Sequence, residues 1–173
     1  GHYGGWAPNP ALMLAHLLAS MRDENGRVTI AGFYDGVTPL TALEKKALAD
    51  TPTVDADLRQ ELALGRQENP GRKLEDIVNE PTLNVQGIRS ADTGKLARNV
   101  IPAIATANLG IRLVKGIPVK QSQDAVIEHI RKQGYFVTED DPTPEVRKAH
   151  PKVAKVNRRG GGYPASKTPM DLP

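Results

Sequence analysis

The segment at residues 99–114, NVIPAIATANLGIRLV, holds one cationic side chain in a place where ligand binding is possible. Small and branched apolar residues alternate along it as in a half-buried strand, and Arg112 falls between Ile111 and Leu113 on the opposite face. A guanidinium on that face offers a fork of hydrogen-bond donors to a ligand. Periodicity alone favours the simpler interpretation, a solvated charge on an exposed strand.

Metal-ligating and nucleophilic groups are sparse in the sequence. The four histidines have no metal-type spacing, and His16 and His129 lie within predicted helices, where a packed or surface role is the more common one. The chain has no cysteine, which excludes disulfides and thiolate zinc sites and fits a reducing compartment. The glycines at 160–162 lack the strand-to-helix setting of a phosphate loop. We therefore predict no catalytic or metal-binding residue in this chain.

A basic stretch at 147–159 suggests an alternative function, nucleic-acid binding. It contains Arg147, Lys148, Lys152, Lys155, Arg158 and Arg159. Against this alternative, the chain has only two phenylalanines, so the predicted sheet lacks surface aromatics on which bases could stack. Charge runs are usually solvated faces, and the net charge of +3 is a small excess of 23 basic over 20 acidic residues. Nucleic acid is therefore an unfavoured partner.

The length and composition predict one main globular domain. The chain has 173 residues, of which 39% are hydrophobic and 25% charged, and its glycines and prolines indicate loop-rich segments. No apolar run approaches the length of a membrane span, and the first residues do not resemble a signal peptide. These features predict a soluble cytoplasmic protein without a membrane partner.

Helix and strand signals in the first half alternate along the chain. Asn9 is a natural N-cap for a helix with Pro10 at its first position. The β-branched and aromatic residues at 27–35 predict a strand. Residues 38–80 are then read as a helical insertion, because the sequence TALE at 41–44 is a capping box and prolines divide the following helical pieces.

The second half predicts the rest of a sandwich. Strands at 82–88 and 99–114 should pair antiparallel, a helix should run from Pro118 to Gly134, and a last strand should follow at 135–140. The order α, β, insertion, β, β, α, β indicates an α+β two-layer sandwich, with two helices on one face of an antiparallel sheet.

The predicted domain organisation has two parts. Residues 1–140 form the sandwich with the insertion at 38–80. The proline-rich remainder, 141–173, is interpreted as an extended linker.

Four stretches resemble the dinuclear-zinc exopeptidase family, which includes carnosinase, carboxypeptidase G, acetylornithine deacetylase and succinyl-diaminopimelate desuccinylase. They are GHYGG followed by NP, GRVTIAGFYDGVTPLT, PTLNVQGI, and NVIPAIATANLGIRLV, and the likeness is strongest over 1–41 and 81–114. In that family a lid or dimerisation domain of ferredoxin-like topology interrupts a catalytic domain that holds two zinc ions. The resemblance implies that this chain is such a lid, and that 141–173 returns to a catalytic domain outside it.

The resemblance also implies roles for two residues. The position matching Arg112 binds the carboxylate of the substrate, and the position matching Asn99 contacts the scissile carbonyl. These roles suit the side chains, because a guanidinium forks onto a carboxylate and an amide NH₂ can stabilise a developing oxyanion. Two departures bear on them: the lid histidine of the family would precede Gly1, so His2 is not its counterpart, and Lys115 stands where many relatives have proline.

For the whole protein the resemblance implies a zinc-dependent amide hydrolase that acts on dipeptides or N-acyl amino acids. Its expected partners are a second copy of the chain, the parent catalytic domain and the small peptide substrate. The isolated chain lacks zinc ligands, so the two zinc ions are expected in the parent enzyme and no hydrolysis is expected from the chain alone.

Overall fold

A computed structural model describes residues 2–159 and 162–168. Their helices are α1 (Pro10–Ala19), α2 (Ala42–Asp50), α3 (Asp55–Glu61), α4 (Leu74–Ile77), α5 (Val119–Lys132) and α6 (Pro144–Ala149), with a 3₁₀ turn at Gly94–Leu96. Their strands are β1 (Thr82–Arg89), β2 (Thr106–Arg112), β3 (Phe136–Thr138) and β4 (Val153–Lys155). None of the helices in this part of the chain is long and apolar enough to cross a membrane.

The start of α1 and both ends of α5 form where the sequence predicts them, whereas α1 ends at Ala19, earlier than the predicted end near Asp23. The Asn9 side chain accepts hydrogen bonds from the backbone N–H groups of Ala11 and Leu12, and Pro10 occupies the first position of α1. Helix α5 follows Pro118. It ends just before Gly134, whose φ of +87° is the left-handed conformation that terminates many helices.

Strands β1 and β2 form the antiparallel hairpin that the sequence predicts. Thr82 lies opposite Arg112 and Leu83 opposite Ile111, and a β-bulge shifts the register between Val85 and Gly87. Strand β2 begins seven residues later than the predicted strand at 99–114. Pro102 lies in the part that does not pair, and proline has no N–H to donate to a ladder.

The core lies between the hairpin and helices α1 and α5. Leu83 from β1 is buried within it, and Leu109 and Ile111 from β2 pack against it. The α+β class, with two helices packed on one face of an antiparallel hairpin, is thereby confirmed. The buried cluster consists of Leu17, Met21, Val28, Ile30, Phe33, Leu83, Val126 and Ile130.

The predicted strand at 27–35 does not form. Val28 makes only an isolated bridge to Arg22, and the following residues are turns. Gly32 has a φ of +75°, which interrupts an extended backbone. The apolar side chains that suggested a strand, including Phe33, are nonetheless buried, so hydrophobicity indicated burial here and not strand pairing.

The segment predicted as an extended linker, 141–173, contains regular structure. Thr143 caps α6 and Pro144 opens it, and β4 pairs parallel to β3 in a second two-stranded sheet. The prediction of a wholly extended segment is therefore wrong, since its prolines mark helix and turn positions. Residues 157–159 and 162–168 are irregular, and 160–161 and 169–173 lie outside the described residues. The division into domain and linker stays a prediction.

The insertion at 38–80 joins the sandwich through a backbone contact at its start. The Thr38 N–H donates to the Lys115 carbonyl at 3.1 Å. Beside it, Gly36 and Gly116 approach so closely that a Cβ on Gly116 would lie 2.0 Å from the Gly36 oxygen. Both glycines have positive φ, so only glycine fits at this crossing.

Candidate functional site

Arg112 is the last residue of β2 and is exposed. Its neighbours Ile111 and Leu113 are half-buried, and Ile111 packs against the core. The guanidinium therefore lies on the face of the hairpin that α1 and α5 leave open, as the alternation predicts.

The Arg112 side chain reaches the end of the insertion. Its Nη2 donates to the Val78 carbonyl at 3.1 Å, and Val78 is the C-cap residue of α4. Within residues 2–159 and 162–168, no carboxylate forms an ion pair with Arg112. Its remaining N–H groups are therefore available to an anionic ligand.

Asn99 lies in the irregular connection that joins β1 to β2. This connection meets β2 at Thr106, opposite Arg89, whereas Arg112 is at the other end of the strand. A strand rises roughly 3.3 Å per residue, so the two ends of β2 are about 20 Å apart. The hairpin thus attaches the two predicted site residues to opposite ends of one strand.

The connection around Asn99 has an apolar surface. Leu96, Val100 and Ile104 are 69%, 59% and 73% exposed, and they line a shallow cavity of about 300 Å³ together with Arg98 and Pro102. Exposed apolar side chains so close together are typical of a surface that contacts another protein or domain.

Zinc does not fit the described part of the chain. Residues 2–159 and 162–168 contain no group of three or more histidine, aspartate or glutamate side chains that could hold a metal ion. Any zinc ions of a parent enzyme would need ligands from other parts of that enzyme.

His129 is a buried residue that connects two helices. It is 9% exposed, and its Nε2 lies 2.8 Å from the Ser20 hydroxyl oxygen, which joins α5 to the end of α1. Burial lowers the pKa of His129, and the nearby charge of Lys132 lowers it further. His150 stacks on Phe136 with ring centroids 4.0 Å apart, and His16 is exposed. No signal in the sequence indicated the Ser20 contact, because 109 residues separate the partners.

The basic stretch at 147–159 is partly neutralised within the fold. Lys155 pairs with Asp141 at 2.8 Å, and Arg158 pairs with Asp124 at 2.7 Å. Lys120 and Arg158 both lower the pKa of Asp124 by hydrogen bonding to its carboxylate. These contacts give two of the six basic residues acidic partners within the fold. No observation supports the nucleic-acid alternative.

Comparison with characterised proteins identifies relatives for most of the chain. It is 33% identical over 135 residues to the Cys-Gly metallodipeptidase DUG1 of Candida albicans, covering 75% of this chain and 27% of that protein. It is 29% identical over 138 residues to the β-Ala-His dipeptidase of Rattus norvegicus, with the same coverage.

Solved structures give the same result. The dipeptidase Dug1p of Saccharomyces cerevisiae superposes with a TM-score of 0.67 at 27% identity, over 77% of this chain and 28% of that one. Human carnosine dipeptidase 1 also superposes with a TM-score of 0.67, at 26% identity, over 76% of this chain and 29% of that one. The chain thus spans between a quarter and a third of the length of each of these four proteins.

The sequence model of the M20 peptidase dimerisation domain matches residues 1–137. This range includes the hairpin, both helices that cover it, the insertion and both predicted site residues. The resemblance seen in the four sequence stretches is therefore confirmed at the level of the family. The chain belongs to the M20 peptidase dimerisation domain family.

Proposed function

We propose that this chain is the lid and dimerisation domain of a zinc-dependent metallodipeptidase or related amide hydrolase, which cleaves dipeptides or N-acyl amino acids. The names of the relatives support the dipeptidase activity, and the short span of the match supports a catalytic domain elsewhere in the parent. In this proposal the two zinc ions belong to that domain, and the chain supplies substrate contacts and the dimer interface.

Arg112 is proposed to bind the carboxylate of the substrate. The observation that carries this assignment is an exposed guanidinium at the end of a paired strand, without a carboxylate partner among the described residues. A guanidinium can pair with a carboxylate through two parallel hydrogen bonds, which fix its orientation as well as its position. This geometry would hold the free C-terminus of a dipeptide or the carboxylate of an acylated amino acid.

Asn99 is proposed to donate its amide N–H to the scissile carbonyl of a substrate bound in the site of the partner protomer, as negative charge develops on the oxygen. The substrate belongs to the partner's site in this proposal because the length of β2, about 20 Å, separates the connection that carries Asn99 from the Arg112 of the same chain. The apolar residues near it, Leu96, Val100 and Ile104, support this role. When they are covered by a catalytic domain, they would exclude water and lower the local dielectric. Hydrogen bonding to the oxyanion is stronger under those conditions.

The proposed assembly is a homodimer in the cytoplasm. The family is named for dimerisation, and the absence of cysteine is compatible with a reducing compartment. Analytical ultracentrifugation of the 18.7 kDa chain should give twice that mass. A monomer at every concentration tested would contradict this part of the proposal.

The carboxylate role is tested by Arg112→Ala in the parent enzyme. Losing a bidentate charge pair should raise KM for substrates with a free carboxylate about 10- to 100-fold, with a smaller change in kcat. C-amidated substrates should be nearly unaffected. Lys115→Ala, which removes an exposed cation three residues away, is the matched control. Equal effects of Arg112→Ala on acids and amides would overturn the assignment.

A further inference from the structure

The last part of the insertion, residues 72–80, forms a small closed loop around α4. Arg72 and Glu80 close it by two hydrogen bonds, Nη1 to Oε2 at 3.0 Å and Nη2 to Oε1 at 2.9 Å. The bond to Glu80 raises the pKa of Arg72, as expected for a paired guanidinium. Val78, whose carbonyl accepts from Arg112, lies inside this loop.

Other side chains fix the start of this loop. Gln67 Nε2 donates to the carbonyls of Asn69 and Arg72. At the start of α4, the Leu74 N–H donates to Asp55 of α3 at 3.2 Å. The segment is thus held by polar contacts from several directions, although α4 itself has no buried residue.

Within the loop, every backbone carbonyl from Leu74 to Val78 has a partner. The carbonyl of Leu74 accepts from the Val78 N–H, and that of Glu75 from the Asn79 side chain. The next two carbonyls accept from the backbone N–H groups of residues 79 and 80. The Val78 carbonyl accepts from Arg112, which is the one partner from outside the insertion. Carbonyls at the end of a helix need such partners and attract cations.

We propose that the loop closed by Arg72 and Glu80 is a positioning device for Arg112, which holds its guanidinium ready for the substrate carboxylate. This inference rests on the proposed function. An arginine side chain loses conformational entropy when it becomes ordered on binding. Because the Val78 carbonyl already holds Nη2 in place, part of this entropy is lost before the substrate binds. One N–H of Nη2 serves the Val78 carbonyl, and the others stay free for the carboxylate.

In this arrangement Arg72 and Glu80 act on the substrate only through Arg112. Breaking the two hydrogen bonds between Arg72 and Glu80 should make the position of the Val78 carbonyl less fixed. The Arg112 guanidinium could then rotate. The expected signature is weaker binding of the carboxylate with little change in the chemical step, because the lost contact is equal in the ground and transition states.

The first experiment measures Arg112 itself in the full 173-residue chain. ¹⁵N relaxation of its Nε–Hε group should show that this group is clearly less ordered in Arg72→Met and in Glu80→Gln. The double variant Arg72→Glu with Glu80→Arg, which exchanges the two charges, should restore part of the lost order. Lys46→Met breaks an ion pair elsewhere in the insertion, to Asp50, and should leave Arg112 unchanged. Unchanged order in both single variants would overturn the proposal, whatever the enzyme does.

The second experiment measures kinetics in the parent enzyme. Arg72→Met should raise KM about three- to tenfold for a dipeptide with a free carboxylate, in line with the ordering cost of one side chain, and leave kcat and the amidated dipeptide nearly unchanged. Loss of Arg112 order without any change in KM would overturn the carboxylate role of Arg112 and leave the anchoring intact. The two failures are therefore distinguishable.

Discussion

The sandwich and the insertion are built by different forces. In the sandwich, apolar side chains from α1, the hairpin and α5 share one buried cluster. In the insertion, helices α2, α3 and α4 contain no buried residue, and caps, ion pairs and side chain to backbone bonds hold them. A hydrophobic core gives most of the stability of a domain, whereas exposed polar contacts each contribute little. We therefore expect the sandwich to unfold as one unit and the insertion to open locally.

The largest effect should come from the core. Phe33→Ala removes an aromatic side chain that is 2% exposed and should lower the free energy of unfolding by about 3–5 kcal/mol, measured by urea denaturation. Leu43→Ala in α2 removes a side chain that is half exposed and should cost less than about 0.5 kcal/mol. Similar losses for both variants would mean that the insertion belongs to the same cooperative core.

A smaller effect is expected at the contact between α1 and α5. Ser20→Ala removes the hydroxyl beside His129 and should lower the free energy of unfolding at neutral pH by about 1 kcal/mol, measured by urea denaturation.

The same contact predicts how stability depends on pH. Burial lowers the pKa of His129 in the folded state, so the unfolded chain binds a proton first as the pH falls. The contribution of neutral His129 to the free energy of unfolding is therefore fully present above about pH 6.5, the ordinary pKa of histidine. This contribution is lost as the pH falls from there toward the pKa of the folded state. His129→Gln should flatten this dependence between pH 7 and 5, where carboxylates contribute little. An unchanged slope in that variant would contradict the assignment.

The smallest change in global stability should come from the cap of α2. The Thr41 hydroxyl accepts from the Glu44 N–H, and the Glu44 carboxylate accepts from the Thr41 N–H. Thr41→Ala should destabilise α2 by about 1 kcal/mol, and Thr41→Ser should keep the cap. Amide hydrogen exchange should accelerate in α2 and stay unchanged in α5. Acceleration in both would show that the insertion and the sandwich are coupled.

The sequence predicted the features that depend on neighbours in the chain. The Asn9 cap, the capping box at 41–44 and the end of α5 before Gly134 all involve contacts within a few residues. The pairing of β1 with β2 was also predicted, because strands close in the chain usually lie together. These parts of the fold are therefore largely local in origin.

The errors came where distant contacts or proline decide the structure. Residues 27–35 have strand composition, but a left-handed Gly32 and burial in the core give turns. The prolines of 141–173 predict an extended segment, although Pro144 follows a capping threonine in the same way that Pro10 follows Asn9.

The candidate site was predictable only in part. Alternation placed Arg112 on the open face of the strand, and its exposure agrees. Its contact with the Val78 carbonyl was not predictable, because 34 residues separate the partners and every residue has a carbonyl. The roles of Arg112 and Asn99 came from the resemblance and not from periodicity, and they stay predictions.

Both ends of the insertion meet the same short piece of the sandwich. Thr38 bonds to the Lys115 carbonyl, and Val78 receives its hydrogen bond from Arg112, three residues earlier. A segment whose entry and exit lie side by side can change in length or sequence without moving the strands to which it is attached. The insertion could therefore be replaced without moving the strands, and under the proposed function its replacement would change the surroundings of the arginine that binds the substrate.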